Sequence, residues 1–244
     1  MRAIVLAGGK GTRMKSPLPK VLHKISGKPM ISYILGNLLS LKEMDRVVAI
    51  VGYKRALVRK VLPAGVKAAV QKKMLGTADA VKAAIPAMKG YRGDTLIVCG
   101  DTPLITKQTL SALMGSHIGG MNDVTIVTTI LKEPTGYGRI IRNKSGAVNG
   151  IVEEKSATPA QKKIKEINSG IYCYDWPKLE YALGRIKKNK IKGEYYLTDA
   201  IEIFRKKGFK IGTYTAGNPS EVMGVADLKR LKTAQKYFMR RKNV

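Results

Sequence analysis

Three observations predict an α/β fold. Short apolar runs at residues 3–6, 47–51, 66–70 and 95–99 alternate with amphipathic helical stretches. The first run passes directly into Gly8, Gly9 and Gly11. From Asp123 onward the texture changes to β-type runs at residues 124–131, 148–152 and 168–174. Short apolar strands alternating with helices belong to a parallel sheet covered on both faces. The expectation is a Rossmann-like, predominantly parallel mixed sheet, one continuous fold with no flexible linker. Within it, about residues 1–120 form the first lobe, about 121–222 a smaller mixed-sheet lobe and 223–244 a terminal helix.

Composition narrows the function classes. The chain has 244 residues, of which 44% are hydrophobic, ordinary for a soluble globular protein. No run is long and apolar enough to cross a membrane, and charge returns at Lys10, too early for a signal peptide. A cytoplasmic protein is expected. Cys99 and Cys173 sit in apolar runs and read as buried thiols. Two cysteines and two histidines, scattered, give no zinc pattern. The formal charge of +28 suits polyanionic partners, but it is spread along the chain. No aromatic RNA-binding strand or zinc finger accompanies it, so nucleic-acid binding is expected to be incidental.

The elements follow in order. Residues 3–6 form a buried strand. The glycines after it let the backbone turn sharply and approach a ligand. Lys10, Arg13, Lys15 and Lys20 ring that turn with positive charge, which suits a phosphate chain. Neither a Walker loop nor the dinucleotide fingerprint fits the spacing. Pro17 and Pro19 extend the loop and set Lys20 at a fixed distance from Arg13. Pro29 opens a helix whose stripe is Met30, Ile31, Ile34, Leu35, Leu38 and Leu39. A short cationic helix over residues 54–62 turns Leu57, Val58, Val61 and Leu62 inward. Gln71 closes the third strand, at the edge where ligands gather, and its amide can read a pyrimidine. Gly76 and Thr77 start the next helix, whose amides face a ligand oxygen or simply begin the helix. Gly100 and Asp101 end the fourth strand. Asp101 suits Mg²⁺ or a turn, and Thr106 caps the following helix. Leu110, Leu113 and Met114 face inward, and residues 115–122 read as a loop holding His117.

In the second half, residues 143–146 form a hairpin turn and 148–152 its return strand. Glu153 and Glu154 end that strand, 156–166 is a polar excursion, and Asn168 opens the next strand. Residues 176–186 form a helix with Pro177 in its first turn, and 187–193 form a cationic loop, a candidate lid. A helix runs from Asp199 through Phe204, and residues 209–215 form a strand. Val225, Leu228, Leu231, Gln235 and Phe238 line the terminal helix, which ends in a solvated tail of Arg240, Arg241 and Lys242.

Several strings together resemble the sugar-nucleotide pyrophosphorylases, and among them the N-acetylglucosamine-1-phosphate uridyltransferase family. They are Leu-Ala-Gly-Gly-Lys-Gly-Thr-Arg at 6–13, Leu-Pro-Lys-Val-Leu-His at 18–23, Gln71 with Gly76 and Thr77, and Gly100-Asp101 with Pro103-Leu104. Pro-Thr-Gly-Tyr-Gly-Arg-Ile at 134–140, Gly-Ile-Val-Glu at 150–153, Glu-Ile-Asn-Ser-Gly at 166–170 and Gly-Glu-Tyr-Tyr-Leu-Thr-Asp at 193–199 extend the likeness over nearly the whole chain. The first string is common to many nucleotidyltransferases, whereas Thr-Gly-Tyr-Gly-Arg and Gly-Glu-Tyr-Tyr-x-Thr-Asp are much narrower.

The resemblance implies the nucleotide-diphospho-sugar transferase fold, with a nucleotide-binding lobe followed by a sugar-binding lobe. It implies transfer of UMP from UTP to N-acetylglucosamine-1-phosphate, giving UDP-GlcNAc and pyrophosphate. Leu6, Ala7, Gly8, Gly9, Gln71, Gly76 and Thr77 would hold the nucleotide. Arg13 and Lys20 would grip the phosphates, and Asp101 would bind Mg²⁺. Gly138, Glu153, Asn168, Tyr195, Tyr196 and Thr198 would line the sugar pocket. The attacking phosphate oxygen is already ionised, so no strong general base is needed. Catalysis would align two anions and neutralise their charge.

Two departures stand out. The family ends with Gly-Val-Asn-Asn, whose first Asn completes the metal site, whereas here Gly224 and Val225 lead to Ala226 and Asp227. Asp227 would then be a second metal ligand or a helix cap. Gly9 also stands in a string where relatives often have Ala-Ala-Gly. The family's second domain, a left-handed β-helix acetyltransferase, needs hexapeptide repeats, and this sequence has none. The chain is thus expected to carry the first reaction only, as a whole protein or as a fragment. The rival readings are a pyrophosphorylase for another sugar such as glucose-1-phosphate, a non-catalytic sugar-nucleotide sensor, and a basic nucleic-acid-binding protein.

Overall fold

A computed structural model describes residues 1–189 and 193–242 of the chain. The first strand, β1 (Arg2–Ala7), lies at the heart of a mixed sheet. Its side chains alternate between two cores, as strand geometry requires. Ala3, Val5 and Ala7 join one apolar cluster and Ile4 the other. After the glycine turn come 3₁₀ turns at Thr12–Met14 and Lys20–Leu22. A small ribbon of β2 (Lys24–Ile25) and β3 (Lys28–Pro29) then leads into α1 (Met30–Leu39). The expected stripe of α1 is buried except for Leu39, which is exposed.

The alternation continues through β4 (Arg46–Val51), α2 (Arg55–Arg59), β5 (Val66–Val70), α3 (Thr77–Lys82), α4 (Ile85–Met88) and β6 (Asp94–Cys99). Helix α2 is shorter than the expected span 54–62. Val58 is buried, but Leu57 is exposed, because a helix of five residues offers the core only a narrow stripe. Strand β1 pairs in parallel with β4 on one side and β6 on the other, and β4 pairs in parallel with β5. The chain therefore reverses its winding direction between β1 and β6. Ligands in open α/β sheets bind beside the carboxyl ends of strands at such a point.

Helix α5 (Lys107–Gly119) is capped by Thr106, whose hydroxyl accepts from Thr109 N at 3.1 Å. It runs to Gly119, into the stretch expected as a loop at residues 115–122. His117 is inside that helix and only 2% exposed. Its Nδ1 lies 3.0 Å from Thr125 Oγ1 and its Nε2 3.3 Å from Asp94 Oδ1. Packing of Leu110, Leu113, Met114 and His117 against the sheet outweighs the weak helix propensity of Gly115 and Gly119.

The second half adds β7 (Val124–Ile130), β8 (Gly138–Arg142), β9 (Val148–Val152), α6 (Pro159–Lys162), β10 (Glu166–Asp175), α7 (Trp176–Leu183), α8 (Asp199–Lys206) and β11 (Ile211–Thr215). The strand order is β11-β7-β10-β6-β1-β4-β5. Strand β10 runs antiparallel to both β6 and β7, inserting the second half into the same sheet. Only the β8–β9 ribbon leaves that path, anchored to β10 at Ile167–Arg139 and Asn168–Gly138. Residues 190–192 of the expected lid lie outside the described residues.

A 3₁₀ turn at Pro219–Val222 precedes α9 (Leu228–Lys242). This helix covers a third apolar cluster containing Met14, Ile25, Met30, Leu104, Val225, Leu231 and Ala234. Leu228 is exposed, contrary to its expected inward position. Arg241 is no free tail residue. It donates to Leu104 O at 2.6 Å and pairs with Glu221 Oε1 at 3.1 Å, because Glu221 stands within reach of the last turn. No helix among the described residues is long and apolar enough to cross a membrane.

Candidate active site

The site grows from the carboxyl ends of β1 and β6. Gly11 has φ of +69°, and a Cβ there would lie 2.5 Å from the Cβ of Lys20. Glycine lets the turn rest directly on the lysine stem. Met14, buried beneath α9, anchors one 3₁₀ turn, while Val21 and Leu22 anchor the other. Arg13 is exposed beside the glycine turn and pairs with no carboxylate among the described residues. Lys20 is held differently, with its ammonium hydrogen-bonded to Asp101 Oδ2. Asp101 is fixed in turn through its backbone, since its carbonyl accepts from Val225 N at 2.8 Å. That bond carries Ala226 to the same cleft.

On the other side of β1, Gln71 follows β5. Its Nε2 donates to Asp79 Oδ2 at 2.8 Å and to Gly76 O at 3.1 Å. Its Oε1 faces Gly8, where a Cβ would stand only 2.6 Å away. Gly76, with φ of +104°, caps α3. Thr77 Oγ1 accepts from Leu197 N at 2.9 Å, and the backbone of Tyr195 exchanges bonds with Leu75 and Ala78. The α3 entrance is therefore stitched to the 194–198 segment.

These residues enclose a cleft of about 620 Å³, lined by Leu6, Ala7, Gly8, Gly9, Gly11, Lys10, Arg13, Lys20, Gln71, Gly76, Thr77, Asp101, Tyr196 and Ala226. A second cavity of about 190 Å³ is lined by Gly138, Glu153, Asn168, Thr198 and Tyr172. The two share Leu6, Thr77 and Cys99 as common walls. Burial pushes the Cys99 thiol up to about 12, with Asp101 adding to the effect, so it stays protonated. Thr198 precedes α8, yet its hydroxyl does not cap the helix. It donates instead to Glu153 Oε1 at 2.9 Å. Burial raises the Glu153 pKa, Thr198 opposes the rise, and Glu194 adds to it. Tyr137 leads into β8 at Gly138 and Arg139, and this segment is tied down on two sides. Arg139, 1% exposed, donates to Ile164 O at 3.0 Å, and Arg230 of α9 donates to Thr135 O at 3.0 Å.

Of the residues singled out in the sequence, most converge on these two cavities. Tyr196 lines the larger cleft rather than the smaller cavity. Tyr195 lines neither, and its ring packs under the Lys82 ammonium, 5.1 Å from the centroid. Asp227 also lies outside both. Its Oδ1 accepts from Arg230 N at 2.8 Å, the bond of a helix cap, and this commits one of its two oxygens. Among the described residues no group of three or more His, Cys, Asp or Glu side chains could hold a metal ion. Cys99, Glu194, Met74 and Tyr172 line the cavities without having been singled out. Cys99, at the end of a strand beside Gly100 and Asp101, carried the clearest positional signal.

The sequence profile described as Nucleotidyl transferase matches residues 2–214. The chain is 46% identical over 241 residues to the Bifunctional protein GlmU of Streptococcus thermophilus. It is 44% identical to that of Brevibacillus brevis and 43% to that of Pelotomaculum thermopropionicum, over the same length. Each match covers 99% of this chain and 52% of the relative, so the chain spans about half the length of these curated relatives.

Proposed function

The chain belongs to the nucleotidyl transferase family, and on that premise we propose that it transfers UMP from UTP to N-acetylglucosamine-1-phosphate, giving UDP-GlcNAc and pyrophosphate. One observation carries the reading. A cationic cleft beside the glycine turn and a polar cavity with no lysine or arginine among the described residues of its lining share a wall at Leu6, Thr77 and Cys99. Such a pair suits a nucleoside triphosphate and a sugar meeting at a phosphate. Three sets of contacts follow from the residues. Gln71 and the backbone of Ala7 and Gly8 hold the base. Arg13 and Lys20 bind phosphate oxygens. Gly138, Glu153, Asn168 and Thr198 hold the sugar.

The sugar phosphate attacks the α-phosphorus of UTP, and pyrophosphate leaves. The attacking oxygen is ionised near neutral pH, so no residue has to remove a proton. The chain's work is to align two anions that repel and to offset their charge. Arg13 suits bridging two phosphate oxygens with its planar fork, and Lys20, held by Asp101, presents a compact point charge. Mg²⁺, when bound, supplies further charge neutralisation between the two phosphate groups. Asp101 would hold it, and the donor set fits. Its carboxylate is already paired with a cation, and Mg²⁺ is commonly held by one or two carboxylates plus substrate phosphates. Asp227, which caps α9 and lies outside both cavities, is left out of that role.

The test is pyrophosphate release from UTP and N-acetylglucosamine-1-phosphate, titrated with Mg²⁺ for wild type, D101N and D227A. D101N should lose about 10²–10³ in kcat, as expected for one transition-state contact. D227A should keep the wild-type Mg²⁺ dependence and lose at most about 2 kcal/mol of stability, the range for a cap. Full activity in D101N contradicts the site. A raised Mg²⁺ requirement in D227A contradicts its assignment as a cap.

A further inference from the structure

We propose that Tyr172 determines how the smaller cavity holds its sugar: its phenol orients the Asn168 amide and offers its own proton beside it. The inference rests on the reading of that cavity as the sugar site. In a regular strand, residues four apart share a face but stand about 13 Å apart. Strand β10 departs from this. Asn168 lies opposite Thr128 and Tyr172 opposite Ile126, so β10 spends four residues where β7 spends two. The bulge compresses the pair to about 7 Å, the length of two residues on the partner strand. A tyrosine side chain can bridge that distance.

The bulge is fixed by its own bonds. Ser169 Oγ donates to Val127 O at 2.7 Å and accepts from Ile171 N at 3.2 Å. Gly170 has φ of +80°, and a Cβ there would press on Cys99 Sγ at 3.3 Å. A side chain at that position would be strained and crowded.

Within the bulge, Asn168 Nδ2 donates to the Tyr172 hydroxyl at 2.7 Å, and Asn168 Oδ1 accepts from Gly170 N at 3.2 Å. The Gly170 N–H decides which end of the amide is oxygen. Tyr172 then takes one of the two amide hydrogens. The second amide hydrogen remains, and so does the phenol proton, which has no acceptor among the described residues. Both residues are buried and both line the cavity. Burial, aided by Tyr174, raises the Tyr172 pKa well above its ordinary value, so the proton stays available. A buried donor with no partner is costly unless a ligand completes it. Two adjacent donors beside the Glu153 carboxylate match a neutral sugar oxygen that accepts from both.

The experiment compares Y172F, N168A and the double variant in steady-state kinetics. Y172F keeps the ring and removes only the hydroxyl. It should raise KM for the sugar phosphate about five-fold, the worth of one neutral hydrogen bond, with kcat and the KM for UTP changed less than about two-fold. In the N168A background the same change should still raise the sugar KM, because the phenol's own donor is lost, but by less than in the wild type, because the bond that orients the amide is already gone. Multiplicative effects of the two substitutions, an unchanged sugar KM, or equal increases for both substrates would each overturn the proposal. A second measurement needs no turnover. The Asn168 side-chain amide signals in a ¹⁵N spectrum of the substrate-free protein should shift in Y172F, and unchanged signals also overturn it. Failure of the substrate reading is separable. It shows on the wild type as preference for a different sugar phosphate, and the Y172F ratio is then taken with that sugar.

Discussion

At Gln71 both amide hydrogens are committed, one to Asp79 Oδ2 and one to Gly76 O, so the atom left for a ligand is Oε1. A fixed acceptor suits the N3–H of uracil, and cytosine carries no hydrogen at that position. Q71A should therefore raise KM for UTP about five-fold and narrow the preference for UTP over CTP. An unchanged nucleotide profile would remove Gln71 from the base site. The sequence made this residue a candidate, because it stands at the carboxyl end of a strand, the edge where ligands gather. It could not show which atom of the amide stays free, since that depends on Asp79 and Gly76. Tyr172 was hidden for a related reason. Its contact with Asn168 exists only because the strand bulges between them, and a period-two reading places them too far apart to meet. Asp227 could be read as ligand or as cap from its position one residue before a helix, and only the bond to Arg230 N favours the cap.

At the scale of elements, α8 enters the site against local preference. Thr198 gives its hydroxyl to Glu153 rather than to the helix end. Asp199 in the first turn is favoured as an anion by the helix dipole, yet its carboxyl is pushed from 3.8 up to about 6. Burial is the main cause, with Glu153 and Glu202 adding. A carboxyl raised in this way supports the fold in its neutral form. Its contribution is full below pH 3.8 and is lost as pH rises through about 6. D199N should remove this slope, so its urea midpoint should fall less than that of wild type across the same interval. Parallel profiles would show that the carboxyl does not titrate in that window. Most elements were legible from periodicity and caps, including the Thr106 cap of α5 and the β8–β9 hairpin. The C-terminal turn of α5 was not. Its glycines read as a loop, while the buried His117 and its neighbours hold the helix through tertiary packing that local propensity does not contain.

At the scale of the molecule, the parallel β1, β4, β5 and β6 were legible as an alternation of apolar runs, but the strand order was not. Nothing local says that β10 enters antiparallel between β6 and β7. That insertion brings Asn168 and Tyr172 beside the ends of β1 and β6, and it makes one site from two halves of the chain. The formal charge of +28 acts over the same surface. On the proposed reading it would draw polyphosphates toward the cleft and speed their encounter at low salt, without deciding which nucleotide or sugar is accepted. In the proposed reaction, specificity would rest on the base acceptor at Gln71 and the donors of the smaller cavity. The most direct measurement is kcat/KM for pyrophosphate release from a matrix of four nucleoside triphosphates against several sugar-1-phosphates. The account predicts the highest value for UTP with N-acetylglucosamine-1-phosphate. Equal or faster turnover of glucose-1-phosphate, or of another nucleotide, would contradict it.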